Sequence, residues 1–356
     1  MLRFGLVGCG RIAQRHADLL GKGQIAGAEL AAICDILPER ARVFGGRYQV
    51  PAYTDMHAMA ENESVDVFVV LTPSGLHAEH VVALARHAKH ILVEKPMALT
   101  LDDADSMVDS CDRAGVRLFV VKQNRFNVPV VKLRQALEAG RFGKLVMGTV
   151  RVRWCRRQDY YDQDSWRGTW ALDGGVLANQ ASHHVDLLEW MMGPVESVFA
   201  KSTTALVKIE AEDTAVVILK FRSGALGVIE ATTAARPVDL EGSISILGEF
   251  GSVEIGGFAV NQMKIWQFGE SMPDDEEVLA RYSVNPPNVY GFGHQQYYDH
   301  VVQCIMMDAP QLVDGLEGRK SLELISAIYE SIETGREIHL RFRPKLCRLG
   351  ERGAPL

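Results

Sequence analysis

Gly8-Cys9-Gly10-Arg11-Ile12-Ala13 lies between the apolar run Leu2–Val7 and a segment rich in Ala, His and Leu that continues to Leu20. A G-x-G-x-x-A string in that strand–turn–helix setting implies a dinucleotide-binding unit. Gly8 permits the tight turn, Gly10 lets backbone approach a pyrophosphate, and the small residue at position 13 allows close helix–strand packing. Arg11 and Ile12 fall at the helix N-terminus, where backbone N–H groups and the dipole favour the anion. Asp35 ends the second apolar run, 22 residues beyond Ala13. A carboxylate there accepts hydrogen bonds from the adenosine ribose and repels a 2′-phosphate, so NAD is expected over NADP. The bland alternative is that Asp35 only caps the helix before Pro38.

Outward from this unit, apolar runs at Ala28–Cys34, Val65–Leu71, His90–Val93 and Arg117–Val121 alternate with helical segments at Pro38–Phe44, His77–Ala88 and Leu101–Ala114. Such runs between helices predict parallel strands buried on both faces. Residues 1–122 are therefore expected to form a doubly wound Rossmann α/β sheet. After Gln123 the rhythm changes. A helix at Val130–Ala139, an extended stretch Leu145–Arg157 and a glycine-led helix from Asp173 to Met192 are followed by six strand-like runs between Val195 and Phe268. Turns such as Arg222-Ser223-Gly224 predict antiparallel pairing. Helices at His294–Met307 and Leu316–Thr334 close the chain. Residues 123–356 thus read as an α+β domain with a large, mostly antiparallel sheet.

The chain has 356 residues, 38 Lys+Arg against 45 Asp+Glu, and a formal charge of −7. That balance argues against a nucleic-acid partner. The six cysteines are scattered without a C-x-x-C pair, which suits reduced thiols. No apolar run nears the ~20 residues of a membrane span, and no signal-like region opens the chain. A soluble cytoplasmic protein that needs no membrane is expected.

Glu94-Lys95-Pro96 follows the run His90–Val93. Open α/β sheets hold ligands at the carboxyl ends of their strands. A lysine there suits a group that hydrogen-bonds or deprotonates a hydroxyl; the alternative is a surface lysine paired with Glu94. Further on, Asn179 and His183 stand four residues apart, which on one helix puts them on one face. His183 is the candidate general base and Asn179 the group that orients substrate. His184 points about 100° away and reads as structural. On an extended strand Arg151, Arg153 and Arg157 share a face. Such density suits phosphates or a carboxylate, or else a solvated strand at a subunit interface.

The glycine fingerprint, the Thr72-Pro73-Ser74…His77 loop, Glu94-Lys95-Pro96 and the glycine-led segment reaching His183 together resemble the glucose–fructose oxidoreductase/inositol dehydrogenase family. The resemblance implies a Rossmann domain followed by a largely antiparallel sheet whose far face often builds dimers or tetramers. It also implies that Lys95 contacts the reacting hydroxyl, and that Thr72, Ser74, His77, Glu94 and Gln123 lie on the cofactor side. Many members have aspartate where this chain has Asn179, so Lys95 and His183 are expected to share the proton transfer.

Tyr160-Tyr161, Trp166-Arg167-Gly168 and Asn179-Gln180 resemble the branch that oxidises UDP-linked N-acetylglucosaminuronic acid. There the 3-hydroxyl becomes a ketone, on the way to a diacetamido-uronic acid of lipopolysaccharide O-antigen. By this likeness Trp166 and Arg167 approach the cofactor, while Arg153, Arg157 and Tyr160 approach the substrate. Near the end, Asn288–His294 reads as a nucleotide-facing loop. Tyr290 and His294 are candidate substrate contacts and Tyr298 a cofactor contact, with core packing as the alternative for each. No metal site is expected. The competing functions are dehydrogenation of a free sugar or inositol, and a non-catalytic NAD-sensing regulator.

Overall fold

The computed structural model describes residues 1–284, 292–340 and 349. Contacts divide the chain into two units, Met1–Lys122 with His294–Arg319, and Gln123–Gly293 with the residues from Lys320 onward. The segment His294–Arg319 was expected in the second domain but packs with the first. Its helix carries a buried face of Tyr297, Tyr298, Val301 and Cys304, and Tyr298 meets Phe4 edge-on with centroids 5.5 Å apart.

The first unit runs β1 (Leu2–Val7), α1 (Ala13–Gly21), β2 (Ala28–Cys34), α2 (Pro38–Tyr48), β3 (Ala52–Tyr53), α3 (Met56–Asn62), β4 (Val67–Val70), α4 (His77–Ala85), β5 (His90–Val93), α5 (Leu101–Ala114) and β6 (Leu118–Val120). All strands are parallel, in the order β3-β2-β1-β4-β5-β6. The order reverses between β1 and β4, the switch point at which doubly wound sheets take nucleotides. Every residue of β4 is buried, which is why the run is apolar without alternation. The ends of α5 are set by local chemistry: Thr100 accepts from the Asp103 N–H, and Gly115 closes the helix at φ 66°.

In the second unit come α6 (Val128–Glu138), β7 (Leu145–Arg153), α7 (Gln158–Tyr161), α8 (Ser182–Met192), β8 (Val195–Thr203), β9 (Thr214–Phe221), β10 (Leu226–Thr232), β11 (Glu241–Gly248), β12 (Gly251–Gly256), β13 (Gln262–Phe268), α9 (Asp275–Arg281) and β14 (Ile338–His339). Two further helices are α10 (Gly293–Met306) and α11 (Gly315–Thr334). The eight-stranded sheet has the order β13-β12-β11-β7-β10-β9-β8-β14, and only β7 and β10 pair in parallel. Along β9, Ala215, Val217, Leu219 and Phe221 point inward while Val216 and Ile218 are exposed. Helix α8 lies close on the inner face at Gly148, where an added Cβ would come 2.7 Å from Leu188 and Met192 side chains.

Two expectations change here. The strand ends at Arg153, so Arg157 precedes α7 as its N-cap and leaves the face it was assigned with Arg151 and Arg153. The glycine-led helix starts only at Ser182; residues 173–181 form turns, and Asn179 is not on the helix that carries His183.

Candidate active site

In the first unit, the glycine turn joins β1 to α1. Gly8 sits at φ +103° with its Cα against the Leu71 carbonyl, where an added Cβ would come within 2.8 Å of the oxygen, so only glycine fits. At Gly10 an added Cβ meets nothing within 4 Å. The turn therefore has both the conformation and the open space that a pyrophosphate needs. Arg11 is exposed and Ile12 is the N-cap of α1. Asp35 accepts from the Cys9 N–H at 2.7 Å and the Leu37 N–H at 2.9 Å, which fixes its carboxylate beside this turn. We expect Asp35→Asn, which keeps an acceptor for Cys9 but removes the charge, to reduce the NAD-over-NADP affinity ratio about tenfold or more. Titration of both dinucleotides checks this.

Lys95 is half-buried just past the end of β5, and its backbone is held from both sides. Its N–H donates to Glu94 Oε2 at 2.8 Å. The carbonyl of Pro96, joined to Lys95 by a cis peptide, lies 2.9 Å from His77 Nδ1. His77 Nε2 meets the Thr72 carbonyl at 2.8 Å. His77 is 1% exposed and ties the Thr72 loop to the Lys95 loop. Burial pushes its pKa down, opposed by the two carbonyls. Thr72 also bonds His80 Nδ1 at 2.9 Å, and buried Ser74 begins the short turn that leads into α4.

Glu94, His294 and Tyr298 lie together in the first unit. Each is buried, Glu94 at 5% and the other two at 0% exposure. They surround His16 of α1, which sequence reading passed over as an ordinary helix residue. Its Nε2 lies 3.0 Å from Glu94 Oε1 and its Nδ1 2.6 Å from the Tyr298 hydroxyl. His294 Nε2 is 3.7 Å from the same carboxylate oxygen. His294 and Tyr298 thus belong to the core of the first unit instead of a nucleotide-facing loop. Tyr290 lies outside the described residues.

In the second unit, His183 opens α8 at 7% exposure. Its Nε2 is 2.8 Å from the Gln123 side-chain amide, which gives Gln123 a partner that the sequence did not indicate. Two residues along the same turn, Arg125 forms a buried two-pronged pair with Asp186 at 2.8 and 2.7 Å. The two contacts fix the turn and α8 in one register around His183. His184 faces away, wholly buried and edge-on to Trp154 with centroids 5.9 Å apart. Burial pushes its pKa down to about 3, so it stays neutral. Asn179 is half-buried and donates to Asp173 at 2.5 Å. Asp173 also accepts from the Gly168 N–H at 2.7 Å, so the turn before α8 is tied to the segment of Trp166 and Arg167.

The arginines separate into two groups. Arg153 forks onto Glu230 at 2.6 and 2.7 Å and reaches Glu241 at 3.2 Å, while Arg151 reaches Glu241 at 3.3 Å. Both are paired with cross-strand carboxylates, which offset the charge that Arg153 would present to an anion. Arg157 is exposed and donates to the Pro237 carbonyl at 3.3 Å. Arg167 pairs with Asp164 at 3.1 Å and lies over the rings of Tyr160 and Trp166, 4.3 and 5.2 Å from their centroids. That stack places a planar cation and two aromatic faces at one spot of the second unit.

A Rossmann sheet, a glycine turn beside a carboxylate, a braced lysine after β5 and a histidine on a helix of a mixed sheet define a family. Residues 2–122 match the Gfo/Idh/MocA oxidoreductase family, NAD-binding Rossmann fold, and residues 134–340 match its C-terminal alpha/beta domain. The chain belongs to the Gfo/Idh/MocA oxidoreductase family. It is 46% identical to the WlbA dehydrogenase from Bordetella pertussis, solved in complex with NADH and UDP-GlcNAcA, with 96% of this chain and 98% of that chain covered at a TM-score of 0.91. The WlbA dehydrogenase from Chromobacterium violaceum, solved with the same two ligands, is 44% identical over 95% of each chain at a TM-score of 0.89. Among curated family members, myo-inositol 2-dehydrogenase of Thermotoga maritima is 30% identical over 95% of this chain and 98% of its own length. The enzyme is an NAD-dependent oxidoreductase. Among the described residues no helix is long and apolar enough to cross a membrane.

Proposed function

We propose that the enzyme oxidises the 3-hydroxyl of UDP-linked N-acetylglucosaminuronic acid to the 3-keto sugar. The observation that carries this reading is the 44–46% identity, over nearly the whole chain, to two dehydrogenases solved with NADH and UDP-GlcNAcA. Bound at the glycine turn, NAD supplies the nicotinamide that accepts hydride from the sugar carbon. The chain's own part is orientation and proton handling. Lys95 hydrogen-bonds the reacting hydroxyl and favours its ionised form. His183, oriented by Gln123, takes the proton, and Asn179, itself braced on Asp173, aligns the sugar ring. With Arg151 and Arg153 occupied by glutamates, the anionic groups of the substrate fall to Arg157 and to Arg167 with Tyr160 and Trp166.

A 3-keto uronic acid suits later transamination toward a diacetamido-uronic acid, the O-antigen role that the likeness suggests. The five described cysteines are free, as fits a cytoplasmic enzyme. The outward face of the large sheet presents Val216, Ile218 and Leu226, each at least half exposed. An apolar face of this kind supports a homo-oligomer, dimer or tetramer.

Calorimetric titration of the NAD-loaded enzyme with UDP-N-acetylglucosaminuronate, UDP-N-acetylglucosamine, UDP and myo-inositol tests the substrate. Binding of the uronate at least tenfold tighter than UDP-N-acetylglucosamine, which lacks the carboxylate, is expected, since a carboxylate–guanidinium contact contributes about 1.5–3 kcal/mol. Preference for myo-inositol, or indifference to all UDP compounds, overturns the reading.

A further inference from the structure

We propose that His16 is a positioning residue for Lys95, acting through Glu94 and locked in turn by Tyr298. The inference rests on the catalytic role given to Lys95 above, and not on the identity of the sugar. The contacts form an unbroken line within the first unit. The Tyr298 hydroxyl is 2.6 Å from His16 Nδ1, His16 Nε2 is 3.0 Å from Glu94 Oε1, and Glu94 Oε2 accepts the Lys95 N–H at 2.8 Å. His16 and Tyr298 are wholly buried.

The order of donors follows from chemistry. Burial pushes the Glu94 pKa up, but hydrogen bonds and charge from His16 and His294 outweigh it and hold the carboxyl well below its usual range. Glu94 is therefore an acceptor on both oxygens. His16 lies with Nε2 against Oε1 and presents its N–H there, while its Nδ1 shares a hydrogen bond with the Tyr298 hydroxyl.

His16, Glu94 and His294 also have the count and spacing for a metal ion, with ligand atoms within 4.8 Å of one another. Both nitrogens of His16 already have hydrogen-bond partners, and a metal would have to displace the tyrosine or the carboxylate. The cluster is accordingly read as a brace. Its purpose is evident from what it holds. The side chain of Glu94 does not reach solvent but turns back on the next amide, while its own N–H continues the sheet to the Val70 carbonyl at 3.0 Å. With His77 holding the Pro96 carbonyl on the other side, the backbone from which the Lys95 side chain springs is held at both ends. Errors of about 1 Å at a reacting group cost large factors in rate.

The test compares full-length wild type, His16→Leu, His16→Gln and Tyr298→Phe by amide hydrogen exchange at Lys95, NADH affinity, and kcat and KM separately. In His16→Leu, exchange at Lys95 is expected to accelerate about tenfold or more and kcat to fall by a similar factor, with KM and NADH affinity within twofold of wild type. His16→Gln, whose amide donates to Glu94 and accepts from Tyr298, should recover most of both. Tyr298→Phe should shift exchange and kcat severalfold in the same direction, and it decides the matter if His16→Leu does not fold. Unchanged Lys95 exchange in His16→Leu or Tyr298→Phe, or a His16→Gln as defective as His16→Leu, overturns the proposal. The exchange readout needs no turnover, so it stands apart from the catalytic reading, which fails on its own if Lys95→Ala retains full activity.

Discussion

Lys95→Ala is expected to lower the rate of sugar oxidation about 10²–10⁴-fold while leaving NADH affinity within a few-fold of wild type. His183→Asn should give a loss of the same order. Lys95 is held by its own amide and by the next carbonyl, and His183 is fixed by Gln123 and by the register that the Arg125–Asp186 pair sets. Groups so constrained contribute mainly in the transition state, so truncation should appear in kcat more than in KM. Single-turnover measurements with bound NAD separate the chemical step from product release. If the two residues serve one proton transfer, the double variant should lose little beyond the worse single variant. Near-wild-type rates in either single variant defeat the assignment.

How far the sequence could be read depends on what kind of signal each element sends. β4 and β5 are short apolar runs because both faces are covered, and α5 announces itself through Thr100 and Gly115; these were legible. β3 is two residues long, too short to show a period, and α3 is marked only by its Asp55 cap, which accepts from His57 and Ala58 N–H groups. Both went unread. The turns before α8 were read as helix because Val176, Leu177 and Ala178 are apolar. They are apolar because they are buried, while Glu212 bonds the Leu177 amide from a strand-leading segment far along the chain.

The site shows the same division. The glycine turn, Asp35, Lys95 and His183 were singled out because each stands in a local string of sequence. His16 was not, since a histidine among alanines and leucines in α1 has no local mark; its meaning comes from Glu94, 78 residues on, and Tyr298, 282 residues on. The ion pairs of Arg153 were hidden for the converse reason. Its partners Glu230 and Glu241 sit on neighbouring strands, and sheet register is set by long-range pairing that the chain order conceals. Glu212 carried no local signal at all.

Glu212 and His184 make the second large prediction, because both are buried ionisable groups with opposite pH signs. Burial, opposed by hydrogen bonds from Leu177 and Tyr329 and reinforced by Asp213, pushes Glu212 up from 4.5 to about 7, and its Oε2 has no hydrogen-bond partner among the described residues. A raised folded pKa means stability that is fully present below 4.5 and is lost as pH rises through about 7. His184 is moved from 6.5 to about 3 by burial alone, with neither ring nitrogen partnered among the described residues. Its depressed folded pKa means stability present above 6.5 and lost as pH falls toward 3. Between pH 4.5 and 6.5 the two slopes oppose and nearly cancel in the wild type. Each substitution should expose the other. Relative to wild type, the unfolding free energy of Glu212→Gln is expected to rise by about 2 kcal/mol across that interval, and that of His184→Leu to fall by about 2 kcal/mol. Other titrating groups are common to all three proteins and drop out of the differences. Urea unfolding at pH 4.5, 5.5 and 6.5 provides the comparison. Differences that do not vary with pH would mean that neither group changes its proton occupancy on folding as its burial requires.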